Sequence, residues 1–465
     1  MNIRPLKVII STALTFSMAF SGCTFIPKYQ RPAPPVPAQF THANPKVQTA
    51  GTPAYDIGWQ AFFKDPRLQK LIGLALANNR DYRVAMLNVE QIRDQYRIIR
   101  YALIPTFQID AQGTRERGLV GKSITSLTSY QANINTSYEV DLFGHIRSLQ
   151  AQAVEQYFAT RQAALAARIS LVAAVAQQYL TVLAMEEQVR LLRHTLKNVE
   201  SYYGLITKSY QIGNASALDV RLAEVQVQTI EAAVAGDERL EAQAKDGLML
   251  LVGEALPADL PPSGSLASQR LIEDLPAGLS SDLLQQRPDI LEAEHNLKAA
   301  NANIGVVRAA FFPSITLTAS DGTASVKLAK LFEHNVWSFS PQISLPLFNQ
   351  NTNLANLHAA QVQKKIQIAQ YEKTVQTAFK EVSDGLIARD TYNAQLTAQQ
   401  KLVDAQHERY VLTQARYLNG IDSYLTVLLA QQDLYSARQT LIQVSLDRLT
   451  NLINLYKALG GGWKK

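Results

Sequence analysis

Seven histidines, one cysteine and one glycine-rich stretch are the residues of this 465-residue chain that could carry out metal, redox or phosphate chemistry. His42, His145, His194, His295, His334, His358 and His407 are dispersed, with no pair four apart as helix-borne zinc ligands require, and one cysteine offers no second thiolate. "GLVGKSIT", from Gly118, ends like a phosphate-binding loop, but such a loop needs glycine five positions before Gly121, and Glu116 stands there. Lying between two strand-like segments, the stretch reads as a loop. Beyond the first twenty residues the methionines are Met86, Met185 and Met249, too few for a thioether ladder. The sequence also has no G-x-S-x-G nucleophile elbow. These patterns point away from an enzyme, a metal site or any cofactor.

Cys23 takes its meaning from position. Arg4 and Lys7 precede an apolar run, Val8 to Phe20, of signal-peptide length and too short to span a membrane as a helix. "FSGC" resembles a bacterial lipobox, with Phe20 where leucine is usual, so residues 1–22 are expected to be removed and Cys23 lipidated. Thr24 after it, rather than aspartate, fits outer-membrane sorting. Pro27, Pro32, Pro34, Pro35 and Pro37 keep the following stretch extended, and residues 23–58 read as a tether. The formal charge of +6 falls by two with the leader, and the rest is scattered along helical faces, which excludes a nucleic-acid partner.

The elements that must position any site come from a repeat. "IRYALIPTFQIDAQG" at Ile99 aligns with "VRAAFFPSITLTASD" at Val307, an offset of 208; "YEVDLFG" at Tyr138 aligns with "ISLPLFN" at Ile343, an offset of 205. "YQIGNASALDVRLAEVQ" at Tyr210 aligns with "YLNGIDSYLTVLLAQQD" at Tyr417, an offset of 207. Three anchors in order make the chain a tandem duplication, residues 59–251 and 289–465, around a Pro, Gly and Ser-rich linker at 252–288. Each half reads helix, strand, loop, strand, very long helix, turn, helix. In the first long helix Leu171, Val175, Val182, Met185, Val189, Leu192, Leu196, Val199, Tyr203 and Ile206 recur at steps of three and four, with Gln178 the one polar interruption. That period makes neighbouring helices supercoil left-handedly. From His145 to Ser209 there is no proline, which allows a rod of roughly 95 Å, too long for one compact globule.

Four segments, 105–114, 130–143, 313–321 and 337–348, alternate apolar and polar residues. Phe107, Ile109 and Ala111 stand against Gln108, Asp110 and Gln112; Tyr130, Ala132, Ile134 and Tyr138 stand against Gln131, Asn133, Asn135 and Ser137. Each is long enough for a tilted strand to cross a bilayer with lipid on one face and water on the other. Four strands cannot close a barrel, and hydrocarbon tolerates no free edge, so several chains must each contribute four. A rival reading is a structural trimeric coiled-coil envelope protein without a conduit; the small polar residues on the inner strand face argue against it.

"WQAFFKDPRLQKLIGLALANNRD", "YEVDLFGHIRS", "ARISLVAAVAQQYL", "LLQQRPDILEAEHNLKAANANIGVVRAAFFPSITLTA" and "RYLNGIDSYLTVLLAQQDLYSARQTLIQVSLDRLTNLINLYKALGGGW" resemble the outer-membrane efflux lipoproteins of the TolC superfamily, of the OprM and NodT type. The resemblance covers nearly the whole mature chain. It implies a mainly α protein with a transmembrane β-barrel: a homotrimer with a 12-stranded barrel, a 12-helix periplasmic α-barrel and a mixed equatorial belt. It also implies an exit duct for small molecules, lipid-anchored in the bacterial outer membrane, working with a periplasmic adaptor (membrane fusion) protein and an inner-membrane pump of the resistance-nodulation-division class. On matched positions, Gly213, Ser216, Gly420 and Ser423 are helix-to-helix tips that meet the adaptor, with both serines expected to cap the following helices. Leu425 matches an apolar constriction, and Asp219, Arg221 and Asp422 are the charged candidates at the aperture. Where many relatives carry Asp and Arg beyond that leucine, Leu429 and Gln432 stand, which implies apolar closure.

Overall fold

The computed structural model describes residues 24–37, 40, 53–120, 123–272, 275, 286–347 and 350–462. The leader and Cys23 lie outside them. The helices are α1 Pro66–Asn78, α2 Arg80–Tyr101, α3 His145–Gln211, α4 Ala217–Val252, α5 Pro288–Ala309, α6 Gln350–Leu418 and α7 Tyr424–Ala458; the strands are β1 Thr106–Val120, β2 Ser123–Glu139, β3 Ser314–Ser325 and β4 Asn335–Ser344. Helices α3 and α6 run 67 and 69 residues without interruption. The chain divides into two compact units, one of residues 1–33, 88–161 and 292–373, the other of 34–87, 162–291 and 374–465.

The first unit holds an antiparallel sheet in the order β1-β2-β3-β4. Its register keeps the alternation in phase across all four strands: Ile109 faces Ile134, Ile134 faces Asp321 and Asp321 faces Trp337, while Thr136 faces Ala319 and Ala319 faces Phe339. Directly opposed residues share a face, so Phe107, Ile109, Ile134, Leu317, Trp337, Phe339 and Ile343 form one apolar surface. Nothing among the described residues covers it, and Ile109 is 80% and Trp337 75% exposed. The opposite face is polar: Asn135 and Gln108 donate to the two oxygens of Asp110 at 2.6 and 2.7 Å. Gly113 lies beneath the Tyr130 ring, whose Cδ1 would be 3.0 Å from an added Cβ, so an aromatic side chain covers the gap in the strand.

The strands differ from the expected bounds, and β3 among them runs on to Ser325, past 321. β1 and β2 continue through the segment expected to be a loop, pairing in unbroken register as far as Val120 with Ser123. Thus Gly118 belongs to β1, and the glycine-rich stretch is largely hairpin rather than loop. β2 stops at Glu139, short of 143, because Asp141 turns to the next helix, accepting from the backbone N–H of Ile146 and Arg147 at 3.1 and 3.0 Å. β4 begins at Asn335 and ends at Ser344, ahead of Pro346.

The expected tether is no free linker where the structure describes it. Residues 24–33 lie as a strap on α5 within the same unit. Asn301 donates to the Pro27 carbonyl at 2.8 Å, and Arg308 to that of Phe25 at 3.2 Å. The Phe25 ring stacks on Phe312 at 4.6 Å, which stacks on Phe143 at 4.9 Å. Glu294, almost fully buried, takes the Arg31 guanidinium at 3.1 and 2.5 Å, the Tyr29 hydroxyl at 3.3 Å and the Lys298 ammonium at 3.1 Å.

The second unit is helical. Leu171, Val175, Val182, Val189, Leu192, Val199 and Ile206 of α3 are buried, as the period requires. The one polar interruption is used: Gln178 donates to the Ala244 carbonyl of α4 at 2.8 Å, beside Gly247, where a Cβ would meet its amide. Asp65 caps α1 at the Arg67 and Leu68 amides and accepts the Tyr179 hydroxyl and the Gln269 amide, each at 2.8 Å, fastening the linker to the helices. Arg287, almost fully buried, pairs with Asp289 at 2.6 Å and Glu381 at 2.8 Å and donates to the Ala458 carbonyl at 3.0 Å, joining the linker's end to α6 and α7.

Candidate functional site

Two helical turns carry most of the residues singled out in the sequence, and both close by the same hydrogen-bond pattern. After α3 the Asn214 N–H reaches the Ser209 carbonyl at 2.8 Å and the Gly213 N–H reaches Tyr210 at 3.0 Å; after α6 the Ile421 N–H reaches Arg416 at 3.0 Å and the Gly420 N–H reaches Tyr417 at 2.9 Å. These paired bonds need a left-handed residue in the middle. Gly213 and Gly420 supply it, at φ 78° and 71°.

Beyond the glycines the two turns diverge. Ser216 opens α4 with a capping box: its hydroxyl accepts from the Asp219 N–H at 3.1 Å, and the Asp219 carboxylate accepts from the Ser216 N–H at 3.0 Å. Asp219 is therefore engaged in the cap. Ser423, expected to cap α7, makes no side-chain bond to a backbone amide; its hydroxyl sits 3.4 Å from that of Thr426. The second turn is held instead by Arg416, whose guanidinium grips Asp422 at 2.7 and 3.0 Å and keeps that carboxyl below the usual range. Arg221 pairs along α4 with Glu224 at 2.5 Å. Leu425 and Leu429 on α7 are about half exposed.

Between the turns lies a buried cluster of Tyr202, Ile206, Ala223, Tyr424, Val427 and Leu428. Burial pushes the Tyr424 hydroxyl up to about 12 and raises that of Tyr202 further. Gln414 donates to the Tyr202 hydroxyl. Higher on the same helices Gln432 donates to Gln226 at 3.3 Å, linking α7 to α4 where a charged latch was expected to be missing. Gln226, Tyr202 and Gln414 are not marked in the sequence, because a glutamine or tyrosine on a long helix carries no signal of its partner. Glu294 in "DILEAEHNL" looks like any acid on a helix and gives no sign of what it binds.

In the sheet unit the conjunction is a polar face backed by an uncovered apolar one. That is the arrangement of a wall between lipid and water. A family model described as outer membrane efflux protein matches residues 71–254 and 279–461. The chain belongs to the outer membrane efflux protein family. Probable efflux pump outer membrane protein TtgC of Pseudomonas putida is 48% identical over 466 residues, covering 98% of this chain and 96% of that one. Probable outer membrane lipoprotein SilC of Salmonella typhimurium is 38% identical, over 98% of each chain. Among solved structures, the open state of the Neisseria gonorrhoeae MtrE outer membrane channel matches with a TM-score of 0.86 at 41% identity, covering 95% of this chain and 99% of that one. CusC matches with a TM-score of 0.84 at 37% identity, covering 95% and 100%.

This outer membrane efflux protein has the fold class expected from its sequence, long helices joined to membrane strands in a duplicated chain, and its place is the outer membrane. The efflux protein acts as the outer-membrane channel of an efflux system.

Proposed function

We propose that three copies assemble into a passive exit duct whose wall is a 12-stranded barrel continued by a 12-helix tunnel. The observation that carries this reading is the sheet, with segregated faces and two open edges, β1 and β4. Backbone groups cannot stay unpaired in hydrocarbon, so β1 of one copy pairs with β4 of the next until the ring closes. Each copy contributes two repeats, residues 59–251 and 289–465, about the linker at 252–288; the two separate family matches support that division.

Cys23 carries the lipid, and the docked strap that follows it, from Thr24, ties that anchor to the sheet unit. The tips at Gly213, Ser216, Gly420 and Ser423 receive a periplasmic adaptor, which bridges to an inner-membrane pump of the resistance-nodulation-division class. Energy comes from that pump, and the duct performs no chemistry of its own. The cargo is drugs or other toxic compounds, as the antibiotic and toluene pumps named for Pseudomonas putida relatives suggest. At the periplasmic end Leu425 forms the apolar constriction, with Asp219, Arg221 and Asp422 around it, and adaptor binding opens it by a shear between packed helices. Planar-bilayer conductance tests this: Leu425→Ala and Leu425→Ser raise the single-channel conductance of the resting duct, and unchanged conductance in both removes Leu425 as the gate.

A further inference from the structure

The apolar face of the sheet does not end where the four strands end. Pairing of β2 with β3 stops at Tyr130 opposite Ser325, yet β1 and β2 continue together for seven further rows, from Thr114 with Ser129 to Val120 with Ser123. This ribbon has only two strands, so its outer edges lack ladder partners, and it must lie outside the hydrocarbon. On the face that carries Phe107, Ile109 and Ala111, the next side chains in phase along β1 are Arg115 and Arg117, opposite Thr128 and Ser126. Both arginines are exposed, and neither makes an ion pair or hydrogen bond among the described residues. Glu116, the one acid nearby on the ribbon, is on the other face.

Distance fixes their level. Counting from Phe107 at about 3.3 Å per residue, with a strand tilt near 40°, Arg115 stands about 20 Å and Arg117 about 25 Å up the barrel wall. The apolar band of an outer-membrane barrel is about 25 Å tall, and an arginine costs little only near its edge. Two unpaired guanidiniums therefore face outward at the level where acyl chains give way to headgroups. Guanidinium forks match phosphate oxygens in geometry as well as charge.

We propose that Arg115 and Arg117 bind the phosphate groups of the outer-leaflet glycolipid, the phosphorylated glucosamines of lipopolysaccharide. The inference rests on the barrel reading above, which puts the β1–β2 hairpin on the side opposite the helices. Leu119 and Ile124, opposed to each other further along the same face and largely exposed, provide apolar contact beside the charged pair.

The test uses purified full-length protein in detergent, titrated with bisphosphorylated lipid A or its dephosphorylated form and read by native mass spectrometry. The wild type is expected to prefer the phosphorylated lipid by about tenfold or more, as hydrogen bonds to charged groups imply. Arg115→Gln with Arg117→Gln abolishes the preference, while the charge-matched control Lys327→Gln with Lys330→Gln keeps it. Inorganic phosphate at the same concentration leaves the lipid bound. A wild type indifferent to the phosphates, a double arginine variant that keeps the preference, equal loss in the lysine control, or displacement by inorganic phosphate would each overturn the proposal. The native mass of the same preparations separates the two readings: a wild type that is not a trimer sinks the barrel, whereas a trimeric double variant that loses the lipid preference supports both.

Discussion

Replacing Glu294 by alanine should release the strap while leaving the sheet and helices folded. In the native protein one carboxylate, 3% exposed, holds Arg31, Tyr29 and Lys298. Removing one partner of a fully buried pair costs roughly 3–5 kcal/mol, because the other charge is left without compensation. Here the stranded cations have a way out, since Arg31 is 41% and Lys298 29% exposed, so the loss falls to about 2–3 kcal/mol. Expressed as local opening, that is a rise of about 30- to 160-fold in amide hydrogen exchange over residues 24–33, with exchange in β2 and β3 unchanged. An exchange rate within a factor of three of wild type would refute the idea that Glu294 fastens the strap. The pH dependence follows from the same site. Burial pulls the Glu294 pKa up, but the Arg31 and Lys298 hydrogen bonds outweigh it and hold it below its ordinary value of 4.5. A depressed carboxyl contributes stability above the ordinary value and loses it as pH falls through the lowered one. Pepsin cleavage of the strap should therefore converge in wild type and Glu294→Gln as pH falls from 4.5 through that lowered value.

Two further contrasts test the turns. Gly253→Ala should destabilise far more than Gly213→Ala, although both glycines are left-handed: an added Cβ at 253 meets the Asn78 carbonyl at 2.5 Å, whereas 213 has open space and pays only backbone strain, about 1 kcal/mol. Denaturant midpoints compare them, and equal shifts would count against the contact. Ser216→Ala should cost about 1 kcal/mol and raise exchange in the first turn of α4, whereas Ser423→Ala should change α7 by much less, since only the first serine caps. Equal effects would mean that the capping box contributes nothing.

The strands were legible because period-two alternation in four segments has few explanations, and the register bears this out residue by residue. Their ends were not, for local reasons. At Arg115 and Arg117 the outward face turns from apolar to basic, so the pattern looks broken although the ladder continues. Asp141 reads as one more polar strand position, but it caps α3. The tip glycines declared themselves through paired Tyr-x-x-Gly spacing, and Ser216 with Asp219 three residues on is a capping signature. Asp219, whose charge beside a matched constriction marks it as an aperture candidate, also closes that cap. Prolines 27 to 37 look like a free linker, since nothing local shows that Glu294, 263 residues beyond Arg31, waits to hold it. Side-chain partners that far apart become visible only when the fold brings them together.

The two turns are welded on opposite sides. Ser216 and Asp219 bind the first turn to the helix that leaves it, and Arg416 and Asp422 bind the second to the helix that enters it. A sideways load therefore finds its weak joint before Ser216 in one hairpin and after Asp422 in the other. The duplicated halves are therefore fastened differently at their turns, and α7, whose first turn has no side-chain cap, is held there by the burial of Tyr424, Val427 and Leu428.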